Sequence, residues 1–352
     1  MKNINGKTVL TLGVIAFTLI LAFILNGALD SYVRRILNLC AIYAIISLSL
    51  NLVNGFTGMF SLGQAGFMAI GAYAVAIFTV PAELRASGFY LEPMMPLLAN
   101  IELPLIAALL LGGLLAALVA FVIGFPVLRL RGDYLAIATL GFSEIIRILF
   151  TNMQSVTNGA LGIKNVPQLS NMFLIYLAAV ITIALLHLLL TSSYGRALKA
   201  IREDEIVAEA MGINLLKHKL AAFVISAFFA GVGGGLYGAL LGTVDPKNFI
   251  FTLTYNFVLI IVLGGLGSIS GTVIASFIIT IGMEWLRFFD EPLKLFGIEI
   301  LIFRPGLRMV VFSVLLMVIV LFFQKGIMGQ REISFDMLRR IPLRFGKRRE
   351  DR

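Results

Sequence analysis

The chain has 352 residues, 59% of them hydrophobic and 13% charged, with a formal net charge of +9 and a mean hydropathy of +0.99. A soluble domain carries about a quarter of its residues as charges, so the composition excludes a water-soluble globular protein and indicates an integral membrane protein. A single cysteine, Cys40, excludes an internal disulfide and a cysteine-rich metal site, and no metal site is expected.

Apolar runs of about 18 residues or more recur along the chain, and strand-like alternation is absent, which points to helices and away from a barrel. Lys2 and Lys7 precede the first run, Val9 to Leu25. It is longer than the apolar core of a cleaved signal, although "NGALD" after it offers small residues, and an uncleaved first helix is expected. Further segments follow at 36–53, 59–80, 102–126, 134–150, 171–190, 219–241, 251–265, 268–286 and 306–323. They predict an all-α membrane protein of about ten transmembrane or re-entrant helices. Only "GGLGS" parts the 251–265 and 268–286 pieces, so these form either two short spans or one broken element. Internal duplication is not evident.

The polar interruptions of about 20 to 30 residues are too short to bury a core of their own. The expected organisation is therefore a membrane domain over 1–323, with a polar segment at about 192–218, and a basic tail over 324–352. With the N-terminus inside, the inner loops hold Arg129, Arg131, Arg196, Lys199, Arg202, Lys217, Lys219 and the tail; the outer ones hold Arg34, Arg35, Arg85, Lys164, Lys247, Arg287, Lys294 and Arg304. The inner side is richer, and an even number of spans puts both termini in the cytoplasm. Basic residues concentrated beside a span indicate contact with anionic membrane lipid, not nucleic acid.

The polar segment has helical character. Residues 194–203, "YGRALKAIRE", form one basic helix; Asp204 can cap a second, and Gly212 can end it. Ile206, Val207, Ala210 and Met211 share one face, with Glu205 and Glu209 on the other. So short a helix is costly to nucleate and forms only if something holds it, its own membrane domain or a docked partner; a solvated loop is the alternative.

The sequence from "SSYGRALKAIREDEIVAEAMGINLLKHK" into "LAAFVISAFFAGVGGGLYG" resembles the cytoplasmic loop and following span of branched-chain amino-acid ABC importer permeases. The resemblance extends to "SLNLVNGFTGMFSLGQAGFMAIGAYAVA" at 49–76, "LRLRGDYLAIATLGFSEIIRIL" at 128–149 and "IVLGGLGSISGTVIAS" at 261–276, and the "GDYLAIATLGFSEI" block is similar to the LivM-type subunit. It implies a second, LivH-type permease subunit, two cytoplasmic ATPase subunits, an extracytoplasmic substrate-binding protein and a bacterial or archaeal cytoplasmic membrane. It also implies that Arg202, Asp204, Glu205, Ile206, Val207, Glu209, Ala210, Met211 and Gly212 couple to the ATPases, although Met211 replaces the second alanine of the related EAA motif. No cofactor is expected. A phosphate loop needs G-x-x-x-x-G-K-[ST]; "NGKT" at 5–8 has Met1 at the first glycine position and "FGKR" at 345–348 ends in Arg348, so ATP falls to the partner subunits and no catalytic residue is assigned.

In the 49–76 block Asn51, Asn54, Thr57, Ser61 and Gln64 interrupt an apolar run beside several glycines. Irregular backbone at membrane depth is tolerated where it is buried in protein or lines water. These residues are candidates for the translocation path, with internal helix–helix bonding as the alternative. Glu144, three residues from Arg147 in a predicted span, is a further candidate. Gly234, Gly238 and Gly242, and Gly267 with Gly271, have the spacing of close helix packing. His187, in an apolar run, is expected to be packed.

Three other functions compete. Related permeases carry urea or short amides. A secondary carrier needs paired intramembrane acids, for which only Glu144 and Glu284 qualify, and an intramembrane enzyme needs clustered Asp, His or Cys, which the chain lacks.

Overall fold

The computed structural model describes residues 18–286, apart from 90 and 131, and short pieces between 294 and 332. The start of the Val9–Leu25 run, most of the expected 306–323 span and most of the basic tail lie outside the described residues.

The described residues are helical almost throughout. After α1 (Thr18–Ala28) come α2 (Ser31–Asn51), a π-helical turn (Leu52–Phe56), α3 (Gln64–Thr79), the short α4 (Ala82–Gly88) and α5 (Pro96–Ala99), α6 (Leu105–Val127) and α7 (Asp133–Asn152). The second half has α8 (Gln154–Thr157), α9 (Met172–Thr191), α10 (Ser193–Glu203), α11 (Glu205–Ala210), α12 (Leu215–Leu241), α13 (Phe251–Gly264) and α14 (Ile269–Trp285). A two-residue hairpin pairs Lys294–Leu295 with Ile298–Glu299. Among the described residues five helices are long and apolar enough to cross a membrane: Ser31–Phe56, α6, α7, α9 and α12. The shorter α1, α3, α13 and α14 fall on four more of the expected apolar segments.

Two boundaries depart from expectation. The 59–80 segment is helical only from Gln64, because Gly58 turns the chain at φ +75° and residues 57–63 run irregularly. The 251–286 stretch forms two helices folded back as a hairpin, α13 and α14, around a turn at Gly265–Ser268.

Helix α12 is the centre of the packing. Gly231 faces Gly71 of α3 and Gly112 of α6; a side chain on Gly71 or Gly231 would strike backbone, and one on Gly112 would crowd it. Small residues let membrane helices approach this closely, which substitutes for the hydrophobic drive absent in lipid. Gly234 packs on α3 as its spacing predicts, whereas Gly242 ends α12 in a left-handed conformation at φ +74°. The apolar surface of α6 that faces away, Leu110, Leu114, Leu118 and Phe121, is exposed, as a lipid-facing helix requires. His187 is also exposed, one turn before the end of α9, and so is not packed as the sequence suggested.

The helix ends define two faces. The α10–α11 segment, the end of α2, the α6–α7 connection (Gly124 lies against Leu220 and Phe223) and the α13–α14 turn lie together. On the opposite face, Arg85 is 4% exposed and donates to the carbonyls of Val80, Leu98, Ala99 and Ile101, tying α4 and α5 into one compact loop. Burial lowers its pKa from the ordinary arginine value, with Glu102 opposing.

Candidate functional site

The polar segment folds as two helices with different tasks. Ser192 caps α10, accepting from the Gly195 N–H, and α10 buries Gly195, Leu198 and Ile201 against the membrane helices. Asp204 caps α11, its carboxylate accepting from the N–H groups of Ile206 at 2.8 Å and Val207 at 3.1 Å. Gly212, at φ +84°, ends α11: its N–H donates to Glu209 and that of Ile213 to Ala208, the two bonds of a left-handed helix stop. Lys219, 8% exposed in its side chain, pairs with Glu205 and fixes α11 to α12. Ala208 is the buried residue of α11. The face formed by Ile206 (75% exposed), Val207 (58%) and Met211 (79%), with Ala210, is uncovered. No described part of the chain covers it.

Arg202 carries the link inward. Its guanidinium donates to the Gly55 carbonyl at 3.1 Å inside the π-helical turn, and it also pairs with Glu203. Its stem lies against Gly58 and its Nη1 against Gly267, so the side chain threads a gap that three glycines leave open. Lys199 stands 6.0 Å above the Phe56 ring, at the limit of a cation–π contact.

Behind this gap, Asn51 is fully buried. Its amide donates to the Ser268 carbonyl at 3.0 Å and to Thr272 at 2.8 Å, and its Oδ1 accepts from the Gly267 N–H at 3.0 Å. One side chain thus binds the end of α2 to the α13–α14 turn. A methyl on Gly55 would strike Asn51 and the Gly267 nitrogen. Arg202, Gly55, Asn51 and Gly267 form a continuous line from the exposed helix to two interrupted membrane helices. Single π-turns inside helices concentrate at functional sites.

The other polar candidates hold the irregular segment in shape. Asn54 exchanges bonds with the Ser61 backbone, accepting from its N–H at 3.1 Å and donating to its carbonyl at 3.2 Å. Thr57 donates to the Leu52 carbonyl at 2.8 Å, and Gln64 donates to Ser49 and to the Ile46 carbonyl. All five candidates from Asn51 to Gln64 are buried, and the segment's exposed positions are Gly58 and Phe60. Glu144 is set apart. It binds Arg147 at 2.7 Å, and its other oxygen accepts from the Phe251 N–H at 3.3 Å, capping α13 from a neighbouring helix.

Sequence reasoning missed Thr139 and Thr254, which accept from the N–H groups of Leu62 and Ala65 at the start of α3. It also missed Glu332, whose carboxylate accepts from Ile269 and Ser270 at the start of α14. A threonine inside an apolar run is the available signal, but most such hydroxyls bond their own preceding turn. No group of three or more potential metal ligands occurs among the described residues.

Together these features define a multi-pass helical membrane protein that displays a capped helical knob on one face and anchors it to broken helices within. Residues 32–321 match the family described as "Branched-chain amino acid transport system / permease component", and the chain belongs to that family. It is 36% identical over 343 residues to the high-affinity branched-chain amino acid transport system permease protein LivM of Escherichia coli K12, covering 87% of this chain and 76% of that protein. It is 37% identical over 302 residues to LivM of Salmonella typhimurium, covering 75% and 67%. A more distant relative is the nucleoside ABC transporter permease protein NupC of Lactococcus lactis, 26% identical over 200 residues, 51% of this chain and 58% of that one. No solved structure matches.

Proposed function

We propose that this chain is one permease subunit of an ATP-driven importer that moves leucine, isoleucine and valine across the cytoplasmic membrane of a bacterium or archaeon. It pairs with a second, LivH-type permease, two cytoplasmic ATPase subunits that bind and hydrolyse ATP, and an extracytoplasmic substrate-binding protein. The carrying observation is α11, which is capped at both ends, fixed to α12 by Glu205 and Lys219 and to the interior by Arg202, yet uncovered on its apolar face. A solvated loop has no reason to keep Ile206, Val207 and Met211 in water on a rigid helix. We place the ATPase against that face. Movement of α11 reaches the end of α2 and the α13–α14 turn through Arg202 and Asn51, beside the irregular 57–63 segment, which we place at the border of the solute path. In this reading Asn51, Asn54, Thr57, Ser61 and Gln64 hold the border in shape, and Gly58 and Phe60 present it. Glu144 holds the start of α13 in place.

The substrate reading is supported by the LivM relatives. The test is reconstitution of all subunits in vesicles, with Ala210→Glu and Met211→Glu as variants. Leucine uptake and ATPase retention are expected to fall at least about tenfold, corresponding to about 1.4 kcal/mol at the interface, while binding-protein docking persists. Wild-type uptake in both variants overturns the coupling assignment. Uptake of urea or nucleosides, but not leucine, by the wild type overturns the substrate alone.

A further inference from the structure

The α13–α14 turn is held from two sides. From within the bundle, Asn51 binds Gly267 and Ser268, and the Arg202 guanidinium lies against Gly267. From the other side comes the segment that follows the last apolar run, 306–323. The N–H groups of Ile327 and Met328 donate to the Leu263 and Gly264 carbonyls at 2.7 and 3.2 Å, satisfying the open end of α13. Glu332 completes the open start of α14. Its carboxylate accepts from the N–H groups of Ile269 at 2.6 Å and Ser270 at 3.0 Å, and from the Ser270 hydroxyl at 2.7 Å. Segment and turn meet backbone to backbone, since a Cβ on Gly265 would strike the Gly329 carbonyl.

Three features distinguish this contact from a fixed cap. Ser268 already caps α14 locally, accepting from the Gly271 N–H at 3.1 Å. Glu332 stands 62 residues beyond Ser270, so the first two N–H groups of α14 depend on where a distant segment lies. The turn also has the composition of a hinge. Gly265 at φ +112° and Gly267 at φ +86° occupy backbone regions that favour glycine, and hinges are a few such residues that absorb backbone rotation. Finally, Glu332 is exposed, so water takes over its bonds when the contact opens and the grip can break and remake.

We propose that residues 326–329 and Glu332 form a strap that sets the resting position of the α13–α14 turn, with Glu332 as its positioning residue. The inference rests on the reading of α11 as the ATPase contact. A displacement of α11 reaches Gly267 through Arg202 and moves the turn against the strap. Glu332 returns the turn when the displacement ends. Without the carboxylate the turn has no fixed resting position, and ATP hydrolysis is no longer tied to solute movement.

The test has an importer arm and a chain arm. In vesicles holding all subunits, Glu332→Gln is expected to keep the ATPases bound. Leucine taken up per ATP hydrolysed falls at least about fivefold, the low end of coupling between two sites. Ser270→Ala, which removes one of the three bonds, lowers the ratio less. An idle cap lowers uptake and hydrolysis together, so a wild-type ratio in both variants overturns the proposal. Ala210→Glu is run beside them. If it keeps wild-type uptake, the reading of α11 has failed and the strap is judged on the chain arm alone. That arm follows amide exchange at 267–270 in the purified full-length chain in detergent. Glu332→Gln and Arg202→Met each speed exchange there. The double variant is expected to depart at least about twofold from the product of the two single effects, because both side chains act on one turn. Single effects that simply multiply overturn the strap, whatever the importer does.

Discussion

Asp204 and Gly212 bracket a helix only six residues long, Glu205–Ala210, so each end contributes a large share of its stability. Removing an N-cap side chain costs about 1 kcal/mol. Asp204→Ala is therefore expected to speed amide exchange at Ile206 and Val207 about fivefold, with Asp204→Asn near wild type; equal exchange in all three proteins would show that the cap is idle. At Gly212 an added Cβ meets no atom within 4 Å. The cost of Gly212→Ala is then purely conformational, about 1 kcal/mol, and larger for the β-branched Gly212→Val. Both residues were legible in the sequence because a cap and a left-handed stop are local devices, set by the residue and its next three or four neighbours. The uncovered face of Ile206, Val207, Ala210 and Met211 was legible by spacing, but not which surface covers it. Glu144 was legible only in part. Its bond to Arg147 is a helical i,i+3 pair, whereas its role at Phe251 spans 107 residues and leaves no local trace.

At the scale of elements, the decisive contact is between the end of α2 and the α13–α14 turn. Long apolar helices announce themselves by length and composition, and α6, α7, α9 and α12 fall close to the expected positions. The interrupted elements do not, since hydropathy is blind to whether an apolar glycine-rich run continues as helix. Residues 52–53 and 59–63 belong to runs oily enough for spans, yet the stretch from Leu52 to Gly63 holds a π-turn and irregular backbone because Asn51, Asn54 and Thr57 offer the chain alternative hydrogen bonds. Asn51→Leu leaves the Gly267 N–H without that partner, at about 1–3 kcal/mol for the buried orphan, while the Ser268 carbonyl keeps its bond from Thr272. We expect a lowered unfolding temperature in detergent and loss of amide protection at 267–272, with α10 and α11 unaffected. Gly55→Ala should act at the same seam by overpacking, at about 1–3 kcal/mol, and should also displace Arg202. If Asn51→Leu unfolds at the wild-type temperature with protection intact, the two elements are not joined through this side chain.

For the whole molecule, the two faces are fixed by geometry before any membrane is drawn. The α10–α11 segment, the α6–α7 connection and the α13–α14 turn share one face, and Ile327 and Met328 donate to the Leu263 and Gly264 carbonyls on it. The compact loop organised by Arg85 and the segment around Ala160 lie on the other, the latter joined to the end of α12 by the pairing of Ile163 with Val244. Orientation is therefore one binary question, and from the Lys and Arg distribution we propose that α10–α11 lies in the cytoplasm. The native thiol leaves the test clean, because Cys40 is fully buried and should stay silent to a polar reagent in the folded protein. Cysteines placed at the exposed positions Glu92 and Ala160 are expected to react with a membrane-impermeant maleimide added to intact cells. Those at the equally exposed Lys199 and Glu209 should react only after the membrane is opened. The reverse pattern inverts every loop at once. It would place α11 where no cytoplasmic ATPase could meet it. Labelling at all four positions from outside would mean that the apolar helices between the two faces do not form a closed membrane unit.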